Sequence, residues 1–326
     1  MHGIRDAGGL DHFNVCSKES RYRYCIVLMS DYRGTLANCT LHGIEFTSVI
    51  KNGEPWKVRN LIRLRAGGFE IELHQDPNLP INRCDLAGQC VNTTDLFVRG
   101  VAKEDVLKLQ GIIGNVCELL SFATESRVLP RAYEYPVGSG LGGGSSMVGT
   151  VQEWRRPFPG PEDVQHFVNS CYDSYVTFRN RRMLHVAIDY VYHSVMRGLA
   201  EEIKIALACV AFENLRDNFA RDTGYPHIAG SFQEKGTKTK DKSKRVGFKR
   251  HLDEMFKEVN MTCDSQRIVD TRNEVIHTGL LNTTGATNWK TFEFLETSLR
   301  EYFLRLLGYH GPFLPYIGGS PAPIII

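Results

Sequence analysis

The periodicity of this chain predicts an α+β protein of two domains: residues 1–156, rich in mixed or antiparallel strands, and residues 157–326, all helical. Three observations carry that division. Short β-branched and aromatic runs separated by turn residues fill residues 20–100. Apolar residues then recur at spacings of three and four, as on a helix. Between the halves, Arg155-Arg156-Pro157-Phe158-Pro159-Gly160-Pro161 resists helix and sets a stiff connection.

The strands come first. Tyr24-Cys25-Ile26-Val27-Leu28-Met29 reads as a buried strand, and residues 39–50 alternate in part. Asn52-Gly53-Glu54-Pro55 marks a turn before Trp56-Lys57-Val58-Arg59. Leu61-Ile62-Arg63-Leu64-Arg65 and Phe69-Glu70-Ile71-Glu72-Leu73 flank a Gly-Gly pair, as a hairpin with charges alternating outward. Residues 95–98 give a further short strand. Over residues 103–123 the period changes: Val106, Leu109, Ile113, Val116 and Leu120 predict one amphipathic helix. Residues 128–154 are strand-like at both ends. Their literal G-x-G-x-x-G (Gly138, Gly140, Gly143) is followed by serines and strand-like sequence, so it predicts a flexible loop and not a phosphate cradle.

Beyond the prolines, helices are expected at 162–179, 183–197, 201–221, 248–259, 264–277 and 289–307. Pro161 with Glu162 and Asp163 makes a good helix start, since acids there complement the amide dipoles. Thr287-Asn288 is the expected cap of the last helix, whose stripe Phe292, Leu295, Leu299, Phe303 and Leu306 belongs in a core.

Composition narrows the function classes. The 326 residues are 42% hydrophobic and 23% charged, as in an ordinary globular protein, and the net charge is +2. No global field draws nucleic acid, so any RNA binding needs a local patch. Nine cysteines without a C-x-x-C read as reduced thiols of a cytoplasmic protein. Cys84 and Cys90 with His74 and Asp76 match no familiar metal spacing, and no metal or other cofactor is expected. His185, Asp189 and His193 share a helix face, where ordinary hydrogen bonds are the commoner use. The chain opens on polar sequence without a secretory pattern, and the apolar run 205–212 falls far short of the ~20 residues of a membrane helix.

The most informative stretch is Arg272-Asn273-Glu274-Val275-Ile276-His277. It sets a permanent cation near a side chain whose unperturbed pKa lies near ~6.5. Metal-free cleavage of an RNA phosphodiester needs both tools. A base takes the 2′-hydroxyl proton, and a fixed positive charge holds the phosphate as its own charge builds. On an ideal helix, residues five apart differ by about 140° in rotation and ~7.5 Å in height. The reach of the Arg side chain and a helix stop near Gly279 ease that separation. A His in a last turn also feels the negative helix end. His277 as base and His277 as acid both remain open.

Long helices with R-N-x-x-x-H near a helix end, and an L-L-G-Y-x-G close (Leu306, Leu307, Gly308, Tyr309, Gly311), resemble the HEPN superfamily, most closely its ApeA-type defence branch. The resemblance covers residues 160–317, and R-N-x-x-x-H is its one specific element. It implies a helical bundle that pairs with a second copy, so that both Arg–His motifs face one cleft. The implied activity is a metal-independent endoribonuclease leaving a 2′,3′-cyclic phosphate, in a toxin-like or anti-phage setting. Arg272 would hold the phosphate, His277 handle the proton, and Asn273 orient the site. Glu213, matching an acid on the second long helix, would fix Arg272 or form a plain structural ion pair. Members partnered with a nucleotidyltransferase antitoxin usually carry Tyr two residues after the His. Here that residue is Gly279.

Residues 235–250 hold Lys235, Lys238, Lys240, Lys242, Lys244, Arg245, Lys249 and Arg250 against a lone acid, Asp241. Low apolar content predicts a mobile loop, either a solvated insertion or a phosphate-steering surface for RNA. Arg179, Arg181 and Arg182 are candidate additions to it. No membrane partner is expected. The N-terminal domain shows no catalytic constellation, and a trigger or regulator would act there. Two rivals stand beside the nuclease: a HEPN-like module that binds RNA or protein without cutting, and a metal- or nucleotide-using enzyme built on the N-terminal domain.

Overall fold

The computed structural model describes residues 29–41, 43–51, 54–77, 86, 88–139, 142, 157–279 and 285–316, with the side chains of residues 51, 277 and 286 excepted. Six antiparallel strands form one sheet: β1 (Met29–Ala37), β2 (Glu45–Lys51), β3 (Glu54–Ala66), β4 (Phe69–Gln75), β5 (Asn92–Ala102) and β6 (Leu129–Glu134). Their order is β2-β3-β4-β5-β1-β6. Among the described residues seven α-helices accompany it: α1 (Val106–Thr124), α2 (Pro161–Arg181), α3 (Leu184–Ser194), α4 (Glu201–Asp222), α5 (Phe248–Glu258), α6 (Ser265–Thr278) and α7 (Gly285–Leu306). Two further strands, β7 (His227–Ile228) and β8 (Ser231–Phe232), make a small ribbon after α4. An antiparallel sheet in the first part and helices in the second give the expected α+β layout.

The β3–β4 hairpin turns on Gly67 and Gly68, with φ of 55° and 87°. Left-handed backbone at both turn positions matches the twist of a two-residue hairpin, and glycine adopts it without steric cost. The register sets Arg63 opposite Glu72 and Arg65 opposite Glu70. The alternating charges therefore meet across the strands, with Arg63 Nε 3.3 Å from Glu72.

Strand β1 was not among the expected elements. Tyr32 and Leu36 are buried on alternate positions, but the residue between them that faces the same way is Gly34, which carries no apolar side chain to count. The run 24–28 lies outside the described residues, as do residues 52 and 53 of the expected turn. Glu54 and Pro55, assigned to that turn, instead begin β3.

One apolar core runs through the molecule. It holds Ile62, Leu64, Ile71, Leu73, Leu96 and Val98 from the sheet, Leu109, Val116 and Leu120 from α1, and the inner stripes of α2 to α7. Helix α2 also closes the free side of β3: Gln165 Nε2 donates to the Arg63 carbonyl, and the Arg65 N–H donates to Asn169 Oδ1. Those contacts satisfy backbone groups that an exposed sheet edge would leave bare. Phe158, in the proline-rich junction, is 1% exposed and lies 4.8 Å from the Phe167 ring and 5.4 Å from that of Tyr309. The secondary structure changes near residue 157, while the apolar packing continues across it.

Helix α2 starts where expected, with Pro161 first and the Gly160 N–H donating to Asp163 Oδ2 at 3.0 Å. Helix α7 begins four residues earlier than expected. Asn288 lies inside its first turn, where its amide reaches Glu202 at 3.3 Å and is not the cap. The stripe Phe292, Leu295, Leu299, Phe303 and Leu306 is buried as expected. Among the described residues, one helix, Lys103–Thr124, is long and apolar enough to cross a membrane, and 56% of that window is buried under the sheet and helices.

Candidate functional site

Helices α4 and α6 bring Arg272 and Glu213 together. Arg272 Nε donates to Glu213 Oε1 at 2.5 Å, and its Nη2 pairs with the same oxygen. Nη1 donates to Asn273 Oδ1 at 3.0 Å. Three of the four expected catalytic residues thus form one connected group. The Arg272 guanidinium is also 5.7 Å from the centre of the Phe248 ring, at the start of α5. It is about one quarter exposed, so solvent still reaches it.

The backbone of His277 lies in the last turn of α6, one residue before Thr278 closes the helix. Gly279 follows in the left-handed conformation, with φ of 71°, and its N–H donates to the Val275 carbonyl at 2.9 Å. That is the glycine stop expected after the motif. At the other end, Asp264 Oδ1 accepts the Arg267 N–H. The His277 imidazole lies outside the described residues.

Sequence reasoning passed over Arg216, one turn beyond Glu213 on α4. Its guanidinium sits 4.6 Å from the Phe248 ring, so Phe248 contacts two arginines. Burial pushes the Arg216 pKa down, and Asp217, 2.9 Å away, partly restores it. Its Nε is buried without a hydrogen-bond partner among the described residues. The signal was present, since Glu213 and Arg216 stand three apart and share a helix face.

The basic segment 235–250 is folded, contrary to the mobile loop expected. The Glu234 N–H donates to the Lys244 carbonyl at 2.8 Å, and the Val246 N–H to the Phe232 carbonyl at 3.0 Å. Val246, Phe232, Tyr225 and Ala220 make a small apolar cluster of their own. Those four residues are spread over 27 positions of sequence, which hides the cluster from a local count. Lys238, Lys240, Lys242, Lys244 and Arg245 are exposed and form no ion pair among the described residues. Lys249 and Arg250 differ: Lys249 pairs with Asp253 at 2.9 Å, and Arg250 with Glu234 at 3.1 Å and Glu254 at 3.3 Å. Phe248, 5.7 Å from the Arg272 guanidinium, directly precedes Lys249 and Arg250 in the chain.

Behind the surface, His251 is fully buried between the Tyr225 and Phe232 rings, at 4.6 and 5.2 Å. Among the described residues, neither ring nitrogen has a hydrogen-bond partner. Burial first, then the nearby Arg216 charge, lowers its pKa to about 4. This imidazole is held neutral.

The other candidates resolve into structural contacts. Arg179 pairs with Glu118, while Arg181 and Arg182 both bind Asp222. Arg182 is 2% exposed and also binds Glu258, so it faces a buried network and not an RNA surface. His193 Nδ1 lies 2.6 Å from the Asp189 carbonyl, and the Asp189 carboxylate accepts from Arg127. Cys84 lies outside the described residues. Among those residues, no three His, Cys, Asp or Glu side chains gather as a metal site.

No family model matches this chain, and no curated protein or solved structure is significantly similar to it.

Proposed function

We propose that the helical half is a HEPN-like metal-independent endoribonuclease acting as a homodimer, in a toxin-like or defence setting. The observation that carries this reading is the Arg272–Glu213–Asn273 group, with Arg272 on the helix whose last turn carries the His277 backbone, together with an exposed run of lysines just before α5 in the chain. Glu213 orients a planar cation whose fork suits phosphate oxygens. The lysines 238, 240, 242 and 244 with Arg245 supply the local positive field that the net charge of +2 does not. Two apolar side chains on the helices of the site, Ile276 and Ile203, are 42% and 50% exposed, as residues covered by a second protomer would be.

In the proposed reaction His277 moves the proton of the attacking 2′-hydroxyl or of the leaving oxygen. Arg272 holds the phosphate while its charge rises. A preorganised donor of this kind is worth roughly 10²–10³ in rate. The test is incubation of the full chain with mixed-sequence RNA in EDTA. Wild type should cut, and His277→Ala and Arg272→Ala should lose cutting by at least ~100-fold. Cutting that persists in both variants removes the proposal.

One observation favours the rival reading, a module that binds without cutting. Arg272 is already neutralised by Glu213 and rests on Phe248, which is also how a purely structural arginine is held. Salt-sensitive RNA binding without strand scission in the same incubation would select that reading.

A further inference from the structure

The outer strand of the sheet, β2, has a charged residue at each end and a register shift against β3 at Glu45–Phe46, but its middle carries none of the devices that protect sheet edges. Natural edges carry charges, prolines or bulges that stop another strand from adding. Here the exposed side chains of β2 include Phe46 and Ile50, 67% and 74% exposed. Trp56, opposite Val49 on β3, is 53% exposed. Among the described residues, no strand pairs with the outer side of β2.

The seven residues Glu45-Phe46-Thr47-Ser48-Val49-Ile50-Lys51 are complementary to themselves when read antiparallel. With Ser48 opposite Ser48 of a second copy, Thr47 meets Val49 and Phe46 meets Ile50. Residue 45, a glutamate already paired with Arg63 of its own chain, then lies opposite residue 51, a lysine, at both ends. Because side chains alternate across a strand, Phe46 and Ile50 of both copies fall on one face as a four-residue apolar cluster. On the other face the two Val49 side chains and their Trp56 neighbours gather. A one-residue slip would set Phe46 against Val49 or Lys51 and lose both matches. The smallest residue of the exposed row, a serine, sits on the axis where two copies approach most closely.

We infer that β2 is an interface between copies of this chain: two protomers pair their β2 strands antiparallel about a two-fold axis at Ser48, making one twelve-stranded sheet. A two-fold contact of this kind uses the same patch twice and closes on itself. It is separate from the pairing of helical halves proposed for RNA cleavage, and neither depends on the other. An interface of one strand pair and eight apolar side chains lies at the small end for specific contacts, so assembly depends on concentration.

Sedimentation of the full chain over a concentration series, with wild type beside Phe46→Lys/Ile50→Lys, reads the mass directly. The substitution should halve the assembly, from dimer to monomer or from tetramer to dimer where the helices also pair. Both side chains are exposed, and equal melting temperatures would show that folding is intact. Register is read separately. In Ser48→Cys, mild oxidation should give a disulfide-linked dimer, because directly opposed residues bring Cβ atoms to about 4.5–5.5 Å. Thr47→Cys, which would face Val49, should cross-link no more than wild type, whose native cysteines set the background. An unchanged mass for the double lysine variant, or equal cross-linking at 47 and 48, overturns the inference.

Discussion

Arg272 is held by three neighbours. Its Nε and Nη2 face Glu213, its Nη1 faces Asn273, and its guanidinium carbon lies 5.7 Å from the centre of the Phe248 ring. An ion pair about a quarter exposed contributes little to stability, on the order of 0–1 kcal/mol. Its effect on direction is larger. Glu213→Ala should therefore leave the melting temperature nearly unchanged and lower RNA cleavage by roughly 10- to 100-fold. RNA affinity should stay equal or rise, since a negative charge is removed. A cleavage rate equal to wild type would reduce Glu213 to a structural partner.

His251 carries a prediction about pH. Its pKa when folded is about 4, against an ordinary value near ~6.5. Between those values the unfolded chain binds a proton that the folded chain does not. Stability is therefore complete above pH ~6.5 and is lost as pH falls through about 4. The groups facing this ring are Tyr225, Phe232, Arg216, Arg250 and Glu254. Replacing it by Phe keeps the ring contacts and removes the titration. His251→Phe should flatten the decline in melting temperature between pH 6.5 and 4, with little change at pH 7.5. A decline as steep as that of wild type would place the acid sensitivity elsewhere.

Among the elements, the β3–β4 hairpin gives the clearest test. A Cβ at Gly67 would stand 2.5 Å from the Ile112 Cδ1 atom of α1, while one at Gly68 meets nothing within 4 Å. Both positions have positive φ. Gly68→Ala should cost about 1 kcal/mol, from backbone strain alone. Gly67→Ala should cost clearly more, because the side chain also intrudes on the α1 packing. Equal losses in denaturant unfolding would contradict the described approach of hairpin and helix.

What the sequence disclosed follows the same physics. Helices with a regular apolar stripe and a marked start or stop were legible: α2 by Pro161, α6 by Gly279, α7 by its Phe292-to-Leu306 stripe. The hairpin was legible from Gly67-Gly68 and its opposed charges. Strand β1 was hidden because Gly34 fills a buried position without an apolar side chain. The fold of residues 235–250 was hidden because its core residues, from Ala220 to Val246, are distant in sequence. Arg272, Asn273 and Glu213 were named as one site from 59 residues of separation, and their side chains do meet. Phe248 and Arg216 were missed because only the packing of α4, α5 and α6 brings them beside Arg272.

For the molecule as a whole, the continuous core has a thermodynamic consequence. Phe158 sits at the junction and touches Phe122 of α1, Phe167 of α2 and Tyr309 beyond α7. Truncating a buried Phe to Ala costs ~3–5 kcal/mol. Phe158→Ala should lower the stability of sheet and helices together, in a single calorimetric transition for both proteins. Two separated transitions, with only one shifted, would show that the halves unfold independently.

The central claim is that this chain cuts RNA through the 2′-hydroxyl with an arginine and a histidine. The most direct measurement is the chemistry of the cut ends made by the purified full chain in EDTA. RNA fragments should carry 2′,3′-cyclic phosphates, and an oligonucleotide of the same sequence with 2′-deoxy sugars should stay whole. Fragments ending in 3′-hydroxyl and 5′-phosphate, cleavage of the deoxy strand, or intact RNA throughout would contradict the account.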